Sequence, residues 1–124
     1  MSDKKKYYVA GKMTGVKQFN FPMFDKMRDR LVKEGFEVFS PADHDRFLLG
    51  KPDNWLPEEK DSEGPWLKWS IKDAPSLRTM LGADLQWIAA HADGIVMLPG
   101  WEDSKGANVE WALAKALGLD IRYV

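Results

Sequence analysis

The apolar run GIVMLPG, residues 94–100, constrains the fold more than any other stretch of the chain. It contains no polar residue to alternate with, which suits a strand buried on both faces, as parallel sheets bury theirs. A polar, glycine-containing loop, WEDSKG, follows, and then ANVEWALAKALG. Val109, Ala112, Leu113, Ala116 and Leu117 recur there at helical spacing, and Gly118 stops the pattern. Strand, loop and helix in that order belong to a parallel α/β architecture.

The rest of the chain repeats the alternation. YYVAG, residues 7–11, is a first strand ending at glycine. Asn20 and Pro22 predict the start of a helix over residues 23–34, with Phe24, Met27 and Leu31 on its stripe and Gly35 as its stop. FEVFSP is a second strand ended by Pro41. Residues 74–92 predict a helix with Pro75 in its first turn and Leu77, Met80, Leu81, Leu85 and Ile88 in period. LDIRYV closes the chain as a last strand. Between them, residues 43–73 resist a regular reading and hold three of the six tryptophans, Trp55, Trp66 and Trp69. So long a segment in a small domain is functional or disordered, and the tryptophans argue for a lid or a subunit contact. The expected fold is a single α/β domain over residues 1–124, with a parallel, flavodoxin- or Rossmann-like sheet and helices on both faces. Ligands of such sheets sit outside the carboxyl ends of the strands. Three loops leave those ends: residues 11–20, the middle segment, and residues 100–108.

Composition excludes several functions. A formal net charge of −1 gives no overall basic field, so no nucleic-acid polymer is expected as partner. Lysines 4–6 read as a solvated tail. The absence of cysteine removes disulfides, thiolate nucleophiles and zinc–cysteine sites. His44 and His91 form no ligand motif, so neither metal nor cofactor is expected. No apolar run approaches the roughly 18 residues of a membrane span, and no secretory signal is visible. The expectation is a soluble cytoplasmic protein without membrane partners.

Two carboxylates stand out. Asp84 falls in line with Leu77, Met80, Leu81 and Ile88 on an apolar stripe. There it is either hydrogen-bonded at a groove or holds a pKa raised by desolvation, which would make it a proton donor near neutral pH. Glu110 lies at the edge of its helix stripe, in the first turns, where the helix N-terminus favours its ionised form. It is either an ordinary helix glutamate or a nucleophile. Asp103 and Ser104 either cap the helix or, with Gly106 and Asn108, form a site for phosphate or sugar hydroxyls. AGKMTG, with Gly11, Met13, Thr14 and Gly15, adds a second small-residue loop, though it is not a Walker-type phosphate loop. Tyr7 and Tyr8 point to opposite faces of the first strand, and one of them reaches Glu110 if the first and third strands are neighbours. Asp93 reads as a turn residue and His91 as a helix C-terminal dipole partner. Asp43 and His44 lie at a strand end near substrate, without a catalytic role.

The segments YYVAGKMTG, FNFPMF, FSPAD and GADLQWIAAHADGIVMLPGWEDSKGANVEWALAKALG together resemble the nucleoside 2-deoxyribosyltransferase-like superfamily. Within it they resemble most the short bacterial and phage proteins of the DUF4406 group. The similarity spans nearly the whole chain outside residues 43–73, a Trp-rich segment with no clear counterpart in the transferases. The resemblance implies cleavage of the N-glycosidic bond of a nucleoside or nucleoside 5′-monophosphate, with transfer to water or another base. It implies Glu110 as nucleophile, Asp84 as acid/base at the nucleobase, and Tyr7, with Tyr8 as the alternative, orienting the nucleophile. Asp103 would contact sugar hydroxyls, while Ser104 and the first-strand loop would hold a 5′-phosphate. A homodimer or larger homo-oligomer is implied as well, in the host cytoplasm if the protein is phage-encoded. Two other expectations stand beside this one: a non-catalytic binding protein for a nucleotide or nucleotide signal, and a flavodoxin-like interaction domain whose contact is the Trp-rich segment.

Overall fold

The structure is a computed structural model that describes residues 4–124. Its elements run in chain order β1 (Lys6–Ala10), α1 (Phe21–Lys33), β2 (Glu37–Phe39), α2 (Pro41–Leu48), β3 (Ser62–Glu63), β4 (Lys68–Trp69), α3 (Leu77–His91), β5 (Gly94–Met97), α4 (Lys105–Leu117) and β6 (Asp120–Tyr123). Four strands form one parallel sheet in the order β2-β1-β5-β6, and β3 and β4 form a separate antiparallel hairpin.

Alternation along the strands divides the core in two. Tyr7, Val9, Val96 and Leu98 face α1, whose Phe21, Phe24, Met27 and Leu31 complete that layer. Tyr8, Ala10, Ile95 and Met97 face the other way, onto Ile88 of α3 and Ala107 and Ala114 of α4. Helices therefore cover both faces of an α/β sheet, as expected. The chain passes from β1 to β2 on one side and returns to β5 on the other side of β1. The strand order thus reverses between β1 and β5, and a crevice opens beyond their carboxyl ends.

Local chemistry explains most helix ends. Ser76 and Ser104 cap α3 and α4 by accepting hydrogen bonds from Thr79 N and Ala107 N. Gly118 ends α4 in a left-handed conformation that L side chains avoid. Other expectations need correction. Asn20 occupies the cap position of α1, but its side chain donates to Lys12 O instead of capping. Pro75 lies just before α3, not in its first turn. Lys6 opens β1, so only Lys4 and Lys5 remain of the lysine tail.

Residues 43–73 are not one irregular loop. Residues 41–48 form α2, with Pro41 in the first turn that proline favours. Further along the segment, residues 62–69 fold back as the β3–β4 hairpin. Trp55, Trp66 and Trp69 pack against the α1 layer around Phe19 and Phe21. Arg46 fixes α2 in place. Its side chain is buried, with Nη1 and Nη2 on the two Asp25 oxygens at 2.8 and 2.7 Å and Nε on Trp55 O at 2.7 Å. Among the described residues, no helix is long and apolar enough to cross a membrane.

The buried stripes of α3 and α4 also differ from the apolar pattern. α3 buries Met80, Asp84 and Ile88, while Leu77 is 75% exposed. α4 buries Ala107, Glu110 and Ala114, and leaves Val109, Ala112, Ala116 and Leu117 exposed. Small residues let α4 sit close to the sheet, so Glu110 lies in the middle of the buried face and not at its edge.

Candidate active site

A cavity of about 630 Å³ opens beyond the carboxyl ends of β1 and β5. Asp84 from α3 and Glu110 from α4 both line it, together with Tyr8 of β1. Successive strand residues point to opposite faces, and α4 packs on the face that takes Tyr8. The buried Tyr8 hydroxyl donates to Glu110 Oε2 at 2.5 Å. Tyr7 is therefore not the residue that orients Glu110. It points to the α1 face, where its hydroxyl donates to Asp120 Oδ2.

Burial decides the protonation of the two carboxyls. It pushes Asp84 up to about 7, with the Tyr8 hydroxyl opposing the rise. It pushes Glu110 up to about 8; the Tyr8 hydrogen bond opposes this, while the charges of Asp84 and Asp45 add to it. The helix N-terminus does not keep Glu110 ionised. Glu110 is in the second turn of α4, where the terminal charge has faded and desolvation dominates. Between about pH 7 and 8 the pair shares one proton, and its titration belongs to the pair. The higher value of Glu110 leaves that proton mainly on Glu110; the alternative arrangement, with Glu110 charged beside the Tyr8 hydroxyl and the proton on Asp84, lies only about one pH unit above it. In either arrangement an anionic oxygen and a proton donor face the same space.

The loops behave less uniformly. Gly11, Met13, Thr14, Asp103, Ser104 and Gly106 all line the cavity. A side chain at Gly11 would press to 3.0 Å on Leu98 Cβ, so glycine is needed where β1 meets β5. A side chain at Gly106 would meet only Leu81 Cδ1, at 3.8 Å, and would project toward the cavity. Ser104 caps α4, as the first of its two readings has it, and also lines the cavity. Gly15 and Asn108 do not line it. Gly15 turns the chain at φ +82° and donates its N–H to Trp66 O. The Asn108 amide is taken by Glu102 O and Ser104 O at the start of α4.

The remaining candidates lie outside the cavity. Asp93 Oδ2 accepts from Lys6 N at 2.8 Å, as a turn residue would. His91 ends α3 with its ring against Trp87. Asp43 is paired with Arg28 and Arg46. His44 places Nδ1 3.8 Å from Asp84 Oδ1, and burial lowers its pKa, so it approaches Asp84 as a neutral ring.

Several lining residues lack an evident sequence signal. Asp45 of α2 is buried and faces the cavity. Lys12, Lys68 and Lys105 line it too. Lys68 pairs with Glu63, whereas Lys12 and Lys105 make no ion pair among the described residues. Phe19 enters the lining from three successive left-handed residues, Gln18, Phe19 and Asn20, at φ 55°, 51° and 65°. Such backbone carries strain and concentrates at functional sites. Leu67 and Trp69 supply the wall from the hairpin side, so the Trp-rich segment is part of the site. Among the described residues, no group of His, Asp and Glu is arranged to hold a metal ion.

The family described as a domain of unknown function, DUF4406, matches the chain over residues 5–64 and 71–123. No curated protein matches it.

Proposed function

The chain belongs to the DUF4406 family, and we propose that it is an N-glycosidase or deoxyribosyltransferase acting on nucleosides or nucleoside 5′-monophosphates. One observation carries the reading. Two buried carboxyls from different helices share one cavity, and the buried Tyr8 hydroxyl, which influences both, donates its hydrogen bond to Glu110. That asymmetry supports separate roles of nucleophile and acid for two otherwise similar groups.

In the first step Glu110 Oε attacks the anomeric carbon of the sugar. The C1′–N bond breaks through an oxocarbenium-like transition state, and Asp84 gives its proton to the departing base. A glycosyl ester on Glu110 and an ionised Asp84 remain. In the second step Asp84 takes a proton from water, whose oxygen attacks C1′ and releases Glu110. When another base is the acceptor, its nitrogen attacks instead and gives up its proton to Asp84. Asp103 meets sugar hydroxyls. Lys12 and Lys105, with Ser104 at the N-terminus of α4, receive a 5′-phosphate. Trp69 and Leu67 form an apolar wall that shields the cavity from bulk solvent.

The exposed apolar residues of α3 and α4, Leu77, Val109 and Leu117 among them, support a homo-oligomer that covers this surface. Nucleotide turnover and the absence of a membrane-crossing helix among the described residues are consistent with the cytoplasm as its location.

The test is incubation of purified protein with a panel of nucleosides and 5′-monophosphates, followed by chromatography for free base. Base is released from at least one of them, and Glu110→Gln abolishes the release. A panel that yields no free base and no exchanged base refutes the reaction. A ligand that stabilises the protein and returns chemically unchanged favours a non-catalytic nucleotide-binding role.

A further inference from the structure

Asp45 is the one carboxyl of the cavity to which the proposed reaction gives no task. It sits on α2, 6% exposed, and lines the same space as Asp84 and Glu110. Its carboxyl makes no hydrogen bond among the described residues, although buried polar groups are normally paired. The cation beside it in sequence is committed elsewhere: Arg46 is held by Asp25, Asp43 and Trp55 O. The neighbouring ring, His44, approaches Asp84 instead. An unpartnered, buried carboxyl facing a cavity is left to be satisfied by what the cavity binds.

We propose that Asp45 is a specificity-determining residue that hydrogen-bonds the edge of the nucleobase, one position along from the atom Asp84 protonates. In a purine that neighbour of N7 is the C6 substituent; in a pyrimidine the neighbour of O2 is N3. This placement rests on the proposed reaction, which puts the base at Asp84. Two further facts support it. Asp45 and Asp84 are near enough that the charge of Asp84 raises the Asp45 pKa. Burial is the larger cause of that rise, and only Arg46 opposes it, so Asp45 is held well above the ordinary carboxylate range. Burial thus favours the protonated carboxyl, which has both a donor and an acceptor to offer. A site built to hydrogen-bond one group of a ligand discriminates against the analogue that lacks it.

The experiment measures binding by tryptophan fluorescence, in the Glu110→Gln background so that nothing is consumed. Two ligand pairs are compared, inosine with its 6-unsubstituted analogue nebularine, and cytidine with 3-deazacytidine. In at least one pair the complete base binds about tenfold more tightly. Asp45→Leu brings that ratio to near one, and Asp45→Asn, which keeps a donor and an acceptor, retains most of it. Circular dichroism and urea unfolding establish that both variants fold, and Asp45→Ala replaces Asp45→Leu if leucine does not fit. Nucleosides that bind with ratios unchanged by loss of the carboxyl overturn the role of Asp45 and leave the reaction standing. Ratios that respond as described, from a protein that releases no base, uphold Asp45 and refute the reaction. Failure of every nucleoside to bind, together with no base release, overturns both.

Discussion

Glu110→Gln should make the protein more stable at neutral pH, by an amount that grows as pH rises. The free glutamate titrates at 4.5, and burial in the folded chain pushes it up to about 8. Between those values the native state holds a proton that the unfolded chain has lost, so native stability falls as pH rises. At about 1.4 kcal/mol per pH unit, the buried carboxyl disfavours folding by about 3 kcal/mol at pH 7. Glutamine occupies nearly the same volume, cannot ionise, and still offers an oxygen to the Tyr8 hydroxyl. The weaker, neutral hydrogen bond gives back about 1 kcal/mol. A net gain of about 2 kcal/mol at pH 7 remains, and close to none at pH 5. With an m-value of about 1–3 kcal/mol/M, the urea midpoint of the variant moves up by about 1 M at pH 7. The assay is urea unfolding of both proteins at pH 5, 6, 7 and 8, followed by tryptophan fluorescence. A stability difference that stays constant across that range refutes the claim that Glu110 is held against its ionisation.

Three other outcomes follow from the same geometry. The rate of base release should be bell-shaped in pH, with its maximum between about 7 and 8. Below this window both carboxyls keep their protons and no nucleophile exists; above it no proton remains for the base. A rate that rises steadily from pH 6 to 9 would contradict the shared proton. Tyr8→Phe should lower kcat by about 10- to 100-fold while the protein stays folded. Tyr7→Phe, on the opposite face, should leave kcat within about threefold, and reversed effects would show that the orienting tyrosine has been misassigned. Lys12→Gln combined with Lys105→Gln should raise KM for 5′-monophosphates at least about tenfold and leave nucleosides unaffected. Equal loss on both substrate types would remove the lysines from phosphate binding.

The sheet and three of its flanking helices were legible because their signals are local. An uninterrupted apolar run, helical spacing, and stops at Gly35 and Gly118 identify elements without knowledge of their neighbours. Helix α2 was hidden because it is short, rich in charge, and begins at a proline that reads equally well as a strand stop. Asp84 and Glu110 were visible as carboxyls near apolar positions. Their environment was not, because it depends on which face of α4 meets the sheet. That face is lined by alanine, so the larger apolar residues point away and the hydrophobic pattern misplaces the stripe. The choice between Tyr7 and Tyr8 is of the same kind: strand alternation separates them, but only the packing of α4 says which meets Glu110. Asp45, Lys12 and Lys105 carry no local mark, since charged residues in helices and loops usually meet solvent. Only the convergence of α2, the β1 loop and the start of α4 brings them to one cavity.

The central claim is that Glu110 becomes covalently bonded to the anomeric carbon. The most direct measurement uses a 2′-fluorinated nucleoside, whose fluorine slows hydrolysis of a glycosyl ester by destabilising the oxocarbenium-like transition state. After incubation and protease digestion, mass spectrometry should find the fluorosugar on the peptide that contains Glu110, with free base released in equal amount. Base release with unmodified peptides throughout, or with the sugar on another residue, contradicts Glu110 as the nucleophile.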